Sequence, residues 1–238
     1  MLDLQEPLHV RTASFRPHIV ASNEKFTETQ FRTAIVRGAK AKRCMDVIFS
    51  LTILPFVFIF ALPIALLIAF NGGRPIYRHI RVGQGGRRFA CYKFRTMEPG
   101  ADIRLQMLLE NDPALRAEWF AHFKLENDPR VTPLGWFLRK TSLDEIPQIL
   151  NVLKGEMSWV GPRPVIPEEL SKYGASLPAY LACRPGITGL WQVNGRSNTT
   201  YEERAAFDVH YAQNRSVLLD LKILLLTIPR VLTAHGSY

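Results

Sequence analysis

The residues best suited to chemistry lie in the run Leu138-Arg139-Lys140-Thr141-Ser142-Leu143-Asp144-Glu145-Ile146-Pro147. Two adjacent carboxylates with Arg139 and Lys140 just upstream can supply a nucleophile, a metal ligand and a hold on phosphate. Ser142 followed three residues later by Glu145 has capping-box spacing, which predicts a helix start carrying both carboxylates in its first turn. There the helix dipole and free amides favour the ionised forms, so Asp144 is expected as a carboxylate at neutral pH. Taken alone, such a box is a structural device. Its setting adds weight: Lys93-Phe94-Arg95, Gly161-Pro162-Arg163-Pro164, Arg184-Pro185-Gly186 and Asn194-Gly195-Arg196 each place a cation in or beside a tight turn. Arginine's planar fork suits bidentate phosphate contacts, and a Pro or Gly frame lowers the entropy lost in making them. Each site is also compatible with an ordinary surface charge; four in one basic domain point to a ligand with several phosphates.

Composition narrows the partners. The 238 residues carry 30 Lys and Arg against 21 Asp and Glu, a formal charge of +9. Nucleic acid, acidic lipid headgroups and phosphorylated substrates all fit that balance. Cys44, Cys91 and Cys183 are odd in number and widely spaced, and no cleavable signal precedes them, which predicts a reducing compartment. The histidines are scattered singly, so no zinc constellation can be drawn and any metal would be held by oxygen. Asn198-Thr199-Thr200 fits a glycosylation sequon but reads as a loop or helix start.

These groups must be positioned by elements, and the most conspicuous is apolar. From Val47 to Phe70 there are 24 uncharged residues, long enough as a straight helix to span a hydrocarbon core. Two features oppose a simple crossing. Pro55 and Pro63 each remove a backbone hydrogen bond. Basic residues flank both ends: Arg32, Arg37, Lys40, Lys42 and Arg43 before, and Arg74, Arg78, Arg81, Arg87 and Arg88 after. If basic flanks stay in the cytoplasm, both ends do, and a bent, re-entrant helix broken at the prolines satisfies both observations. Asp46 is expected either to pair with Lys42 or Arg43 or to be an exposed flank residue.

The rest reads as an α+β fold, mainly helical. Residues 1–30 form a flexible tail, 31–73 an interfacial and re-entrant membrane helix, and 74–238 a cytoplasmic catalytic domain. Ile76–Ile80 and Phe89–Phe94 form a small β-hairpin around Gly83-Gln84-Gly85-Gly86, whose glycines read as turn chemistry. Helices are expected over 101–125, broken at Asp112-Pro113, and from Thr132 with Pro133 in the first turn. Amphipathic helices follow at Asp144–Leu153, Glu168–Tyr173, Tyr201–Gln213 and Leu218–Leu232. The last is suited either to the membrane interface or to closing the core.

Several motifs in order carry a resemblance: Lys42-Arg43 with Asp46 before the apolar segment, Lys93-Phe94-Arg95-Thr96-Met97, Ser142-Leu143-Asp144-Glu145, Gly155-Glu156-Met157-Ser158 with Gly161-Pro162-Arg163-Pro164, and Arg184-Pro185-Gly186-Ile187-Thr188-Gly189. From about Lys40 to about Thr233 the chain closely resembles the bacterial sugar transferases called monotopic phosphoglycosyl transferases, most of all the short exopolysaccharide-initiating type. The resemblance implies a ping-pong reaction at the cytoplasmic face of the bacterial inner membrane. Asp144 would attack the sugar-proximal phosphate of a UDP-sugar, galactose or glucose, and expel UMP. Undecaprenyl phosphate would then take the hexose-1-phosphate. Glu145 would bind Mg²⁺, Arg139 would hold phosphate and Arg163 the nucleotide end, with Lys93, Arg95, Arg184 and Arg196 in the pocket. Asp208 matches an acidic family position, expected among the substrate-binding residues, with a structural role the alternative. Anionic lipids are the other expected partner, nucleic acid is not, and a homo-oligomer is compatible. One departure concerns the bend: the family breaks its membrane helix at a Ser-Pro pair, whereas Leu54-Pro55 and Leu62-Pro63 straddle that point.

Two other classes fit part of this pattern. A membrane-tethered basic adaptor explains the charge and the apolar run but needs no paired carboxylates, and predicts a continuous basic face with stacking aromatics. An ordinary glycosyltransferase would pass only the sugar and release UDP.

Overall fold

The computed structural model describes residues 38–122, 125–194 and 200–232, together with Thr29. Apart from Thr29, the expected tail lies outside the described residues, as do Arg196 and the start of the sequon.

Helix α1, Ala39–Phe70, is one element of 32 residues with Pro55 and Pro63 inside it. The prolines do not end it, because each removes only its own donor while apolar neighbours offer the backbone no competing partner. Lys42, Asp46 and Ser50, spaced by four, share one face and are buried. The middle is bare: Phe56, Phe58, Ile59 and Phe60 are 62–66% exposed. Near its end Ile68 is buried again, against Phe94 and Leu138.

Asp46 does not pair with Lys42 or Arg43, nor is it exposed. Its Oδ1 accepts from Ser158 Oγ at 3.0 Å and from the Trp159 amide at 3.1 Å. Lys42 reaches instead to Asp220, 2.6 Å away, and Arg43 donates to the carbonyls of Val152 and Leu153. Tertiary partners displace the local pairs because the whole face is covered by the domain.

The hairpin forms as expected and runs longer: β1 (Ile76–Val82) pairs antiparallel with β2 (Arg88–Phe94), from Ile76 opposite Phe94 to Val82 opposite Arg88. Gly85 and Gly86 supply the positive φ its turn needs, 67° and 79°. Helices α2 (Ala101–Asn111) and α3 (Pro113–His122) divide at Asp112, whose Oδ1 accepts from the amides of Ala114 and Leu115. Helix α4 (Pro133–Lys140) begins with Pro133 after Thr132, whose Oγ1 caps the Gly135 amide at 2.9 Å.

The expected helix from Asp144 to Leu153 is two pieces: a 3₁₀ segment, Leu143–Gln148, then α5, Ile149–Lys154. The capping box does not form. Ser142 takes a left-handed φ of 59° with no side-chain cap bond, and the Glu145 carboxylate turns to Lys93. An ammonium outcompetes a backbone amide for a carboxylate. Glu168–Tyr173 likewise falls within a 3₁₀ segment, Pro167–Ser176.

A short parallel pair, β3 (Ser158–Val160) with β4 (Gly186–Thr188), was invisible in the sequence. Its flanks explain the glycines of the two Arg-Pro motifs: a Cβ on Gly161 would lie 2.2 Å from the Arg184 carbonyl, and one on Gly186 would lie 2.1 Å from the Gly161 nitrogen. Only backbone fits between them. Helices α6 (Leu177–Ala182), α7 (Leu190–Asn194), α8 (Tyr201–Asn214) and α9 (Val217–Leu232) complete the body. Thr200 and Glu203 form a capping box before α8. The main core gathers Val160, Trp191, Phe207, Tyr211 and Ile223. Helix α9 thus closes the core through Ile223, while Leu218, Leu221, Leu225 and Ile228 on its other side stay exposed.

Candidate active site

Asp144 and Glu145 open the 3₁₀ segment directly after the left-handed Ser142, and strand β2 runs beside them. Lys93 on that strand bridges the pair: its Nζ donates to Glu145 Oε1 at 2.6 Å and lies 3.5 Å from Asp144 Oδ2. Strand β2 is tied to α5, which continues the segment, by Asn151, whose Oδ1 accepts from the Tyr92 amide and whose Nδ2 donates to the Ala90 carbonyl. The packing of α4 is equally tight. A Cβ on Gly135 would fall 1.9 Å from the Thr96 carbonyl, so glycine alone lets α4 approach the end of β2. That approach lets Arg139 Nε donate to Thr96 Oγ1 at 2.9 Å, with its charge acting on Asp144.

The electrostatics of the pair are unequal. Burial pushes the Asp144 carboxyl up; Lys93 offsets part of this, and Glu145 adds to it. That direction is the reverse of the helix-dipole expectation, because the short 3₁₀ turn offers little dipole and Asp144 itself is buried. For Glu145 burial also works against the charge, but Lys93, aided by Arg163 and Arg81, outweighs it and holds the carboxyl below its usual range. Lys93 itself is raised, the two carboxylates overcoming its own burial.

The cleft beyond Glu145 is cationic. Arg81, Lys93 and Arg163 line it, with Gln148 and Gln192 between them. Arg163 is exposed and has no ion-pair partner among the described residues. Arg81 is fixed, donating to the Pro164 carbonyl at 3.1 Å and lying 3.6 Å from Glu169. Cations with unspent valence around two carboxylates make a site for a polyanion that carries its own counter-charge. Among the described residues no three Asp, Glu, His or Cys side chains gather as a metal cage. Mg²⁺ needs none: one or two carboxylates plus substrate phosphate and water suffice. Asp144 and Glu145, already turned toward one cation in Lys93, fit that donor set.

Lys93, Arg139, Asp144, Glu145 and Arg163 therefore come together. Arg95, two residues past Lys93 at the open end of the hairpin, packs beside Gly73 and does not line the cleft. Arg184 lies against the start of α1, near Lys40 and Arg43. Asp208 is buried in the core, accepting from Tyr173 Oη at 2.8 Å, and burial pushes it up to about 7. Sequence reasoning missed Arg81, Gln148 and Gln192. Arg81 sits mid-strand with no turn to mark it, and the two glutamines belong to short helical segments whose packing no pattern reveals.

Comparison with known proteins agrees with this geometry. The sequence profile described as bacterial sugar transferase matches residues 36–234. The exopolysaccharide production protein ExoY of Sinorhizobium fredii is 47% identical over 202 residues, covering 84% of this chain and 89% of its own length. The undecaprenyl-phosphate galactose phosphotransferase of Salmonella typhimurium is 47% identical over 201 residues, 83% of this chain but 41% of its own. The UDP-glucose:undecaprenyl-phosphate glucose-1-phosphate transferase of Escherichia coli is 37% identical over 206 residues, again 83% of this chain and 41% of its own. The chain thus spans under half of the longer relatives and nearly all of a short one. With the profile running through α1, the hairpin, the carboxylate pair and both Arg-Pro motifs, this chain belongs to the bacterial sugar transferase family.

Proposed function

We propose that the chain transfers hexose-1-phosphate from a UDP-sugar to undecaprenyl phosphate, releasing UMP, by a ping-pong route through Asp144. The observation that carries the reading is Lys93 bridging Asp144 and Glu145 at the mouth of a cleft that also holds Arg81 and Arg163. In the first half-reaction an Asp144 carboxylate oxygen attacks the sugar-proximal phosphorus. The bond from that phosphorus to the bridging oxygen breaks, and UMP leaves with the electron pair. In the second, a phosphate oxygen of the lipid attacks the same phosphorus, the bond to Asp144 breaks, and the free carboxylate returns. Lys93 and Arg139 hold the transferred phosphate against an anionic nucleophile, and Arg163 takes the nucleotide end. Mg²⁺ held by Glu145 would neutralise the diphosphate. The raised Asp144 carboxyl suits its role, since a more basic carboxylate is the better nucleophile once ionised. Galactose and glucose are the sugars in the relatives' names.

The packing of α1 supports a membrane placement. Both of its ends pack on one body, Asp46 on Ser158 and Ile68 on Phe94 and Leu138, while the apolar middle is bare. A helix that crossed the bilayer would carry one end away from that body. A re-entrant helix, bending near Pro55 and Pro63 with both ends at the cytoplasmic face, keeps both contacts and buries the middle in lipid. The bare face of α9 suits the same interface, an arrangement that would let a lipid phosphate reach the cleft.

The test is incubation of the purified protein with Mg²⁺, undecaprenyl phosphate and a panel of UDP-sugars, following the nucleotide released. UMP is expected from a galactose or glucose donor, and Asp144→Asn should lower its release at least about a thousandfold. UDP as product would establish an ordinary glycosyltransferase, and no nucleotide from any donor would favour the adaptor.

A further inference from the structure

A second cationic site lies away from the cleft. Between the start of α1 and the loop before β4 runs an open groove of about 550 Å³, lined by Lys40, Arg43 and Arg184 at one end and by Val47 and Ile48 along α1. None of its lining residues lines the cleft. Its charges are unequally used. Arg43 is spent on the carbonyls that end α5. Lys40 and Arg184 have neither hydrogen bond nor ion pair among the described residues, and Arg184 is half-buried. Burial and the charges of Arg43 and Arg215 all act against the Arg184 guanidinium, with Asp46 the only opposing acid. A half-buried guanidinium set among like charges calls for an anion. The apolar side of the groove continues onto the bare face of α1, so the anion it suits carries a hydrocarbon chain.

We infer that this groove binds an anionic phospholipid of the surrounding leaflet, its phosphate between Lys40 and Arg184 and its chains along Val47 and Ile48. The occupant is a spectator rather than the acceptor, because an acceptor phosphate must meet the group on Asp144, and no residue of that site lines the groove. The inference rests on the membrane placement of α1 and not on the reaction. Such a lipid would pin the start of α1 at headgroup depth, where each basic side chain adds to the attraction.

Cys44 supplies the reporter. It lines the groove and is exposed, whereas Cys91 and Cys183 are buried. The full chain in uncharged detergent micelles is doped with phosphatidylglycerol or phosphatidylcholine, and modification of Cys44 by a neutral maleimide is timed. Phosphatidylglycerol is expected to slow the reaction roughly tenfold relative to phosphatidylcholine, and the Lys40→Gln/Arg184→Gln variant should react equally in both. Lys40→Gln alone, at an exposed position, should lose part of the protection and keeps the test informative if the double variant misfolds. The Arg87→Gln/Arg88→Gln variant at the hairpin turn should keep it. Equal rates for the two lipids in the unaltered chain, or protection surviving in the Lys40→Gln/Arg184→Gln variant, would overturn the site. So would protection lost at the hairpin variant, which would mean bulk charge alone. Undecaprenyl phosphate protecting Cys44 at equal concentration would assign the groove to the acceptor and refute the spectator.

Discussion

Two lysines in this protein each meet a carboxylate at 2.6 Å, Lys42 with Asp220 and Lys93 with Glu145, yet the pairs do different work. The first is sealed, with side-chain exposures of 8% and 0%. Asp220 is further fixed by Tyr211 Oη at 2.7 Å, and that hydroxyl also contacts the Val160 carbonyl at 3.1 Å. The second is open, at 27% and 32%, and lies beside a third charged group in Asp144. A closed pair has no alternative partner and can only hold α1 to α9. An open one can exchange its lysine for a substrate phosphate or a metal ion. Distance alone does not separate anchor from site; access to water and a surplus of neighbouring charge do.

Lysine-to-alanine changes should split the two roles cleanly. Lys42→Ala leaves Asp220 buried without its cation, which costs about 3–5 kcal/mol. In a chain of this size the melting temperature should fall by about 6–20 °C, read by thermal scan in detergent. Lys93→Ala opens a pair that water reaches, so Glu145 can be resolvated and Asp144 can take a proton, and it should cost less than the Lys42 change, about 1–2 kcal/mol. Its UMP release should nevertheless fall about a hundredfold or more, because the transferred phosphate loses a fixed charge. If the two variants melted alike, or if Lys93→Ala kept its turnover, burial would not be what distinguishes the pairs.

Asp208 extends the comparison to a carboxyl with no ion pair among the described residues. Buried, with Tyr173 Oη as its hydrogen-bond partner, it is pushed up to about 7, against the ordinary 3.8 of the unfolded chain. Between about pH 4 and 7 the unfolded state therefore gives up a proton that the folded state keeps. This contribution weakens folding as pH rises through that window. Asp208→Asn retains an acceptor for Tyr173 and has nothing to ionise. Relative to the unaltered chain, its melting temperature should rise progressively from pH 5 to pH 8. A constant difference across that range would show that Asp208 does not titrate there.

What the sequence disclosed, and what it hid, follows from the same distinction between local and long-range causes. The hairpin, the Asp112 break, the Thr132-Pro133 start and α8 were legible because each is set by a turn, a cap or a period within a few residues. The Ser142 capping box failed because Glu145 found Lys93, 52 positions away along the chain. Asp46 was misread for the same reason, its partners Ser158 and Trp159 being more than a hundred positions distant. The Arg-Pro motifs are only half legible in the sequence. Arg163 faces the cleft as expected, but the glycines of those motifs serve a backbone contact between Gly161 and Gly186 that no local pattern encodes.

The smallest expected effect concerns Gln192, a neutral group in the charged cleft. Its Nε2 donates to the Ile187 carbonyl at 3.2 Å, which fixes the amide's orientation, because the flipped amide would set oxygen against oxygen. Its Oε1 is buried without a donor. An unmet buried acceptor weighs about 1–3 kcal/mol against the empty enzyme, and a sugar hydroxyl or uracil N–H would relieve it on binding. Gln192→Leu removes that acceptor while keeping the bulk. It should therefore lower kcat/KM for the UDP-sugar roughly tenfold, mainly through KM, while the melting temperature holds or rises slightly. Steady-state UMP release against donor concentration reads the first quantity, and a thermal scan reads the second. A lower melting temperature with KM unchanged would make Gln192 a packing residue of α7. Recognition of the donor in the cleft would then rest on its cations and Gln148.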